Sequence, residues 1–495
     1  MAGTAQQERP SGSPLRTLAA LWKRVAQTEN ASSGASYYLI LGATLALTAI
    51  GILMVLSASS VENIAAGESP YSAAAKQAVF GAAGLVLMLF LSRINVRWLK
   101  RLAWPALLLA VALLGLVQVP GIGKSVLGNR NWIEFGGFTF QPSEAAKLAL
   151  ALWLATVLTA KAPLLASWKH ALVPAVPAGF GIIGLILWGE DLGTALVVMM
   201  IVAAGLFFAG VSGRFFVVAG LVLAAGAAVL AVTSPNRMCR ISSWLGQECA
   251  GADSEQISFQ STQGLFALAE GGWLGVGLGQ SRLKYNWLPE AHNDYIFAII
   301  GEELGFVGAL VVVALFAVLA VSIYRVVGRQ EDMFPRILGG TVMVWVLGQA
   351  AMNMGVVTGL LPVIGVPLPF ISYGGSALVM TLGGIGVVLS LAREEMAASG
   401  AGPMGWIRLP GLPRRAPGGE ARPPRNPGRS APGLQRTGSQ PAESARAGTR
   451  SGGPDAGGAP SASSAQATGP GAPKRPARTG ARPVPRPPAK KRKAV

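Results

Sequence analysis

Ten apolar segments of about 20 residues divide the 495-residue chain and constrain its fold more than any other feature. A helix needs about 20 apolar residues to cross the hydrocarbon core of a bilayer. In lipid the backbone must satisfy its own hydrogen bonds, and these segments lack the polar alternation of barrel strands. They therefore predict an all-α polytopic membrane protein. The segments are roughly 37–58, 74–92, 102–119, 143–160, 171–188, 191–210, 214–233, 293–324, 335–357 and 373–392.

The charge of the chain lies mostly outside these segments. Only 13% of the residues are charged, whereas soluble domains carry about a quarter, so an ordinary soluble enzyme is disfavoured. The formal net charge is +18, and most of it lies beyond Trp406, while the apolar body is almost neutral. Because the positive charge is confined to the tails, we expect no nucleic-acid partner.

Lysine and arginine counts in the connecting loops predict the orientation. One set of alternate loops is rich in these residues, whereas the other offers little beyond Lys124 and Arg130, so both termini are expected in the cytoplasm. No signal peptide is evident, because the first apolar segment is too long and follows about 35 polar residues. The basic loop residues are Arg93, Arg97, Lys100, Arg101, Lys161, Lys169, Arg214, Arg325, Arg329 and Arg336.

The chain divides into a cytoplasmic N-terminal segment (1–36), a membrane domain of about ten helices (37–395) and a basic tail (396–495). The basic tail has almost no large apolar residue, so it is predicted to be disordered, and the N-terminal segment is predicted to be disordered as well. It either tethers partners and anionic membrane lipids or is only solvated. A large extracytoplasmic loop between the seventh and eighth predicted membrane helices spans 234–292.

Both cysteines, Cys239 and Cys249, lie in this large loop. In an oxidising compartment they could close a small disulfide ring, and two free thiols are the alternative. With two sulfurs and no nearby histidine ligands, a zinc site is not expected.

The most informative stretch is WLPEAHNDYIFAIIGEELG, where the large loop enters an apolar helix. Glu290, His292 and Asp294 lie at this boundary, and Glu302 and Glu303 follow inside the helix. Ionisable groups in a membrane segment are costly and usually mark a functional path. A carboxylate at the outer interface is suited to general-base catalysis on a lipid-linked substrate. The alternative is that Asn293 or Asp294 only caps the helix.

A second charged group lies in RNWIEFGGFTFQPSEAAK. Glu144 and Lys147 follow Pro142 at a helix start and are spaced to pair on one face. They form either a charged wall of a substrate cavity, with Arg130 available for phosphate, or an internal ion pair. Sequence leaves both open.

Further candidates lie in the other short loops. Glu190 and Asp191 precede a helix, where they either complement its dipole or bind a divalent cation or a basic partner. Glycine-rich backbone at 271–281 and 372–376 could approach a pyrophosphate, with tight turns and close helix packing as the alternative. The intervening stretch 358–376 is rich in proline and glycine, which predicts a re-entrant or surface-lying loop.

Three of these stretches together resemble the SEDS family of shape, elongation, division and sporulation proteins. They are FQPSEAAKLAL, PEAHNDYIFAIIGEELGF and GLLPVIGVPLPFISYGGS, with DLGTA between the first two. The resemblance covers roughly residues 37–395 and is closer to the division members than to the elongation members.

The resemblance implies a peptidoglycan glycosyltransferase that polymerises lipid II at the outer face of the bacterial cytoplasmic membrane, at the division septum. Its implied partners are a class B penicillin-binding protein and other divisome membrane proteins. A lipid II flippase and an elongation polymerase are the alternatives. A divalent cation, Mg or Mn, is a possible cofactor for the pyrophosphate leaving group, and no organic cofactor is expected.

Residue by residue, the resemblance makes Asp294 the catalytic base that deprotonates the acceptor sugar. Ile364 stands where many relatives carry a lysine, so no role of that lysine is carried over to this chain. Asp191 and Glu302 are secondary candidates. The candidate substrate-binding residues are Arg130, Glu144, Lys147, Glu290, His292, Ser372, Gly374 and Gly375.

Overall fold

The computed structural model describes residues 33–126, 129–135, 138–165, 167–232, 238, 242, 244, 262–281 and 293–398. Eleven α-helices and three short strands account for most of this part of the chain. The helices are α1 Ser33–Ala65, α2 Ser72–Arg93, α3 Val96–Val117, α4 Pro142–Ala160, α5 Trp168–Leu172, α6 Ala175–Trp188, α7 Leu192–Phe208, α8 Gly213–Val232, α9 Ile296–Gly328, α10 Met333–Val357 and α11 Gly375–Ala398.

The helical membrane architecture predicted from the apolar segments is confirmed. Nine of the ten segments each overlap one helix, and the segment 171–188 overlaps both the short helix α5 and α6. Seven helices, α1 to α4 and α9 to α11, are long and apolar enough to cross a bilayer by themselves. The apolar helices α6 and α7 have only 14 and 17 residues. The tails 1–32 and 399–495 lie outside the described residues, and their predicted disorder stays a prediction.

Helices α4, α10 and α11 form the centre of the bundle, because most of their residues are buried while α2, α3 and α9 expose apolar side chains outward. Glycines permit α2 and α11 to pack closely. A Cβ atom on Gly386 would lie 2.6 Å from the carbonyl oxygen of Met88, and one on Gly84 would lie 2.6 Å from Leu382. Small residues allow this approach where helix packing in lipid depends on van der Waals contact.

A small antiparallel sheet, which the sequence analysis did not predict, lies in the loop between α3 and α4. Its strands are β1 Gly123–Val126, β2 Asn129–Phe135 and β3 Phe138–Phe140, in the order β1-β2-β3. Phe135 pairs with Phe138 across the two glycines at 136–137. A Gly-Gly pair suits a two-residue hairpin. Apolar segments of membrane length gave no indication of this sheet, because its strands have only three to seven residues.

Helix α9 is interrupted at Gly305, whose φ of 69° and ψ of −170° are not helical. A glycine-rich turn from 271 to 281 fills the interruption after a short helical segment at 262–270. The amides of Val276 and Gly277 donate to the carbonyls of Glu302 and Glu303, and the amide of Phe306 donates to Gly272. The predicted large loop is therefore partly folded against α9, and the turn satisfies backbone groups that the break would otherwise leave unpaired.

Connecting loops meet at two opposite ends of the bundle. At one end, the amide of Arg130 donates to the carbonyl of Gly189, and Gly193 packs against Gly365. At the other end, Arg329 pairs with Glu395 at 3.2 Å, and Arg393 donates to the carbonyl of Arg93. We call the first the Asp294 end, since Asp294 lies beside Gly365 there.

Candidate functional site

The loop between α10 and α11, residues 358–374, contains Ser372 and Gly374 and lies beside Asp294. Its backbone is irregular: Gly359 and Gly365 have φ values of 75° and 77°, and Phe370 adopts 68°. Phe370 and Ile371 are nevertheless buried. The structure thus places irregular backbone under protein cover, where it is tolerated in a membrane protein.

Asp294 lies immediately before α9 and beside this loop. Helix α9 begins at Ile296 and its N-cap residue is Tyr295, so Asp294 is not the capping residue. A Cβ atom on Gly365 would lie 3.5 Å from Oδ2 of Asp294, which places the carboxylate next to the loop backbone. The Asp294 side chain is partly exposed. A partly exposed carboxylate against an irregular loop is suited to accept a proton from a bound hydroxyl.

Two buried amides of α10, Gln349 and Asn353, hold this region together, and sequence analysis missed both. Nδ2 of Asn353 donates to the carbonyls of Asp294 and Val366, each at 2.8 Å. Nε2 of Gln349 donates to the carbonyl of Pro367 at 2.9 Å. Two amides four residues apart in an apolar helix share one face, which was the available signal.

The Glu144 and Lys147 side chains form an ion pair at 2.8 Å with exposed side-chain fractions of only 3% and 2%. Nζ of Lys147 also donates to Oε1 of Gln349 at 3.1 Å and lies 5.2 Å from the centre of the Trp345 ring. The pair has the geometry of the internal alternative. Through Gln349 it is connected to the loop at Pro367, so it lies beneath the loop and not on an open wall.

Asp191 is the N-cap residue of α7. Its carboxylate accepts from the Thr194 amide at 2.8 Å and the Thr194 hydroxyl at 2.7 Å, and Gln141 donates to it at 3.0 Å. This geometry supports the capping interpretation. The backbone amide of Gln141 donates to Ser376, which links α4 and α7 to the start of α11.

Arg130 lies on β2, where its guanidinium contacts the end of α3. Nη1 and Nη2 approach the carbonyls of Gln118 and Val119 at 3.5 and 3.4 Å. Such contacts satisfy terminal helix carbonyls and orient the side chain. A guanidinium carries five donors, so binding of phosphate by Arg130 stays a prediction.

The serine and glycines of the second glycine cluster make contacts within the protein. The Ser372 hydroxyl accepts from the Leu368 amide at 2.7 Å, and Gln77 donates to the Ser372 carbonyl at 3.1 Å. The Gly374 amide donates to Gln77 at 3.3 Å. A Cβ atom on Gly375 would lie 2.3 Å from the Phe80 ring. Close packing therefore accounts for Gly375 without a ligand.

Glu302 and Glu303 are buried next to the break in α9. The Ser281 hydroxyl donates to Oε2 of Glu302 at 2.5 Å. The Ser57 hydroxyl lies 2.7 Å from both carboxylate oxygens of Glu303. These bonds connect the 271–281 turn and α1 to the helix that Asp294 precedes.

Several predicted residues lie outside the described part of the chain, namely Glu290, His292, Cys239 and Cys249. Their predicted roles stay predictions. Within the described residues, no group of three or more His, Cys, Asp or Glu side chains is arranged to hold a metal ion.

In the α10–α11 loop, outside the membrane-spanning helices, burial and then the negative charge of Glu68 raise the pKa of the Tyr373 phenol above its usual value. Tyr373 directly follows Ser372 in the α10–α11 loop. The interaction places the loop between α1 and α2 at the Asp294 end.

Comparison with known proteins identifies relatives over the membrane domain. The model of the FtsW, RodA and SpoVE family, described as a cell cycle protein, matches residues 37–397. The probable peptidoglycan glycosyltransferase FtsW of Mycobacterium tuberculosis is 41% identical over 366 residues, covering 74% of this chain and 69% of the relative. Stage V sporulation protein E of Bacillus subtilis is 38% identical over 352 residues, covering 71% and 95%.

Solved structures show the same fold. One chain from a study of how a peptidoglycan synthase complex coordinates polymerization and crosslinking is 28% identical, with a TM-score of 0.60, and covers 72% of this chain and 97% of that chain. The rod shape determining protein RodA of Thermus thermophilus is also 28% identical, with a TM-score of 0.53 and coverage of 72% and 96%. The chain therefore belongs to the FtsW, RodA and SpoVE family of cell cycle proteins, the shape, elongation, division and sporulation family that its motifs resemble.

Proposed function

We propose that this integral membrane protein is a peptidoglycan glycosyltransferase that polymerises lipid II into glycan strands during septal wall synthesis. The names of its relatives support the reaction, since several are probable peptidoglycan glycosyltransferases. Relatives of the division type at 35 to 41% identity support division over elongation.

The observation that carries the proposal is the position of Asp294. Its carboxylate lies beside Gly365 of the α10–α11 loop, and its main chain is held by Asn353. In the reaction, the Asp294 carboxylate accepts the proton of the acceptor sugar hydroxyl. The hydroxyl oxygen then forms a bond with the anomeric carbon of the donor, whose bond to the pyrophosphate oxygen breaks. The lipid pyrophosphate leaves with its bonding electron pair.

The orientation follows from the basic loops. The Asp294 end bears the loops that are poor in lysine and arginine, so it faces outward and both termini face the cytoplasm. A lipid-linked substrate then reaches Asp294 from the outer leaflet. A class B penicillin-binding protein is the proposed crosslinking partner at the septum, which the similarity to a chain of a peptidoglycan synthase complex supports.

A divalent cation would neutralise the pyrophosphate as it leaves. The carboxylate of Asp191 already accepts three hydrogen bonds from Thr194 and Gln141, which use three of its roughly four lone-pair sites. We expect Mg or Mn to bind mainly through the substrate pyrophosphate. Chelation should then lower the rate, and adding back either ion should restore it.

The decisive experiment compares Asp294→Asn with Asp332→Asn in the purified chain together with its crosslinking partner. Both changes remove one carboxylate, but Asp332 is exposed at the opposite end. We expect Asp294→Asn to abolish formation of glycan polymers from fluorescent lipid II, while Asp332→Asn retains it. Near-normal polymer formation by a folded Asp294→Asn protein would contradict the proposal.

The break in α9 at Gly305 favours one second candidate, a lipid II flippase, because transporters use discontinuous helices near buried acids. A flippase predicts movement of labelled lipid II across vesicle membranes without polymer. Polymer formation that requires Asp294, without such movement, excludes it.

A further inference from the structure

Asn353 joins the candidate base to the α10–α11 loop through a single nitrogen atom. Nδ2 lies 2.8 Å from the carbonyl oxygen of Asp294 and 2.8 Å from that of Val366. The Asn353 side chain is buried, with 2% exposure. Because the amide nitrogen carries two hydrogens, it satisfies both acceptors at once.

The surrounding contacts make this link rigid. Gln349, one helical turn earlier on α10, holds the next carbonyl of the loop, Pro367, at 2.9 Å. Gly193 at the start of α7 packs against the same part of the loop, because a Cβ atom there would lie 2.8 Å from the carbonyl oxygen of Gly365. The loop is thus fixed from two sides, and Asn353 fixes Asp294 to it.

We propose that Asn353 is a positioning residue for glycosyl transfer, which sets the distance between the Asp294 carboxylate and the backbone around Gly365. This inference rests on the proposed role of Asp294 as the base. It does not require Asn353 to contact substrate. A misplacement of about 1 Å in a catalytic group can cost on the order of a hundredfold in rate.

Other side chains of similar size cannot make this link. Leucine offers no hydrogen-bond donor, and a protonated aspartic acid offers one. Without Asn353, the carbonyls of Asp294 and Val366 lose their shared donor, and the start of α9 can move relative to the loop. The carboxylate of Asp294 remains present but is no longer held in place.

The test measures kcat and KM for lipid II with the full chain and its crosslinking partner. Asn353→Leu removes both hydrogen bonds, and Asn353→Asp keeps the shape of the side chain in case the leucine variant does not fold. The control is Thr341→Val, because Thr341 is buried on the same helix and its hydroxyl donates within that helix, to the carbonyl of Ile337. Thermal unfolding of each variant gives the folded fraction.

We expect both Asn353 variants to lower kcat by at least tenfold per folded molecule, with KM within about twofold of the wild type. Thr341→Val should leave both constants unchanged. A kcat within twofold of the wild type in a folded Asn353 variant would overturn the inference, and so would a loss confined to KM or to the unfolding temperature. If Asp294→Asn is inactive while Asn353→Leu is active, only the positioning role fails; if Asp294→Asn is active, the proposed function fails first.

Discussion

The buried ion pair between Glu144 and Lys147 gives the sharpest prediction about stability. The two side chains lie 2.8 Å apart and are almost completely buried. Removing one partner of such a pair leaves an uncompensated buried charge, which costs roughly 3 to 5 kcal/mol. The structure further predicts that the two single substitutions differ.

The difference arises because Lys147 has other partners. After Glu144→Gln, the ammonium keeps the Gln349 acceptor and the Trp345 ring, so we expect a smaller loss of about 1 to 3 kcal/mol. After Lys147→Met, Glu144 loses the only ion-pair partner it has among the described residues. We expect this variant to lose the full amount of about 3 to 5 kcal/mol.

Unfolding of the purified protein in one detergent, followed by intrinsic fluorescence, measures these changes. The exposed pair of Lys124 and Glu134 is the matched control, with a distance of 2.7 Å and side-chain exposures of 49% and 47%. Glu134→Gln should change the free energy of unfolding by less than about 1 kcal/mol. Equal effects of Lys147→Met and Glu134→Gln would refute the burial argument.

The double substitution Glu144→Gln with Lys147→Met separates structure from substrate contact. Removing both charges should restore much of the stability, since no unpaired charge remains. A purely structural pair should then recover polymerisation together with stability. Because the pair is buried beneath the α10–α11 loop, we predict this joint recovery; a double variant that regains stability but stays inactive would instead indicate substrate contact.

Three further predictions follow from the loops and tail. Gly365→Ala should lower kcat about tenfold, because alanine is strained at the φ of 77° of Gly365 and relief of that strain should shift the loop backbone that lies beside the Asp294 carboxylate. Gly67→Ala, with a similar φ of 75° but open space around it, should share only the backbone cost of about 1 to 2 kcal/mol and keep its activity in the lipid II assay. Deleting 406–495 should leave polymerisation in detergent unchanged and weaken septal localisation, and loss of polymerisation by the folded truncated protein would contradict a tether. Burial raises the pKa of Tyr373 in the folded protein above 10.0, so the stability that the neutral phenol contributes is present below pH 10 and is lost as the pH rises through the folded pKa. The thermal midpoint of Tyr373→Phe should therefore fall less steeply above pH 10 than that of the wild type. Equal slopes of the thermal midpoint against pH for the two proteins would count against this.

The sequence by itself determined the membrane class, the helices and the neighbourhood of the site. Apolar segments of membrane length mark the helices because a bilayer leaves few other ways to satisfy the backbone. Pro142 and Asp191 mark the starts of α4 and α7, since both act through local backbone geometry. The motif around Asp294 identified the candidate base through its resemblance to a family.

Tertiary structure alone decided which groups meet. Asn353 lies 59 residues from Asp294 along the chain, and Lys147 lies 202 residues from Gln349, so no local pattern could pair them. The break at Gly305 is closed by a turn from the preceding loop, and the burial of Glu144 with Lys147 depends on α10 packing against α4. Such contacts arise from the packing of helices distant in sequence, because periodicity specifies which face of a helix is apolar but not which helix covers it.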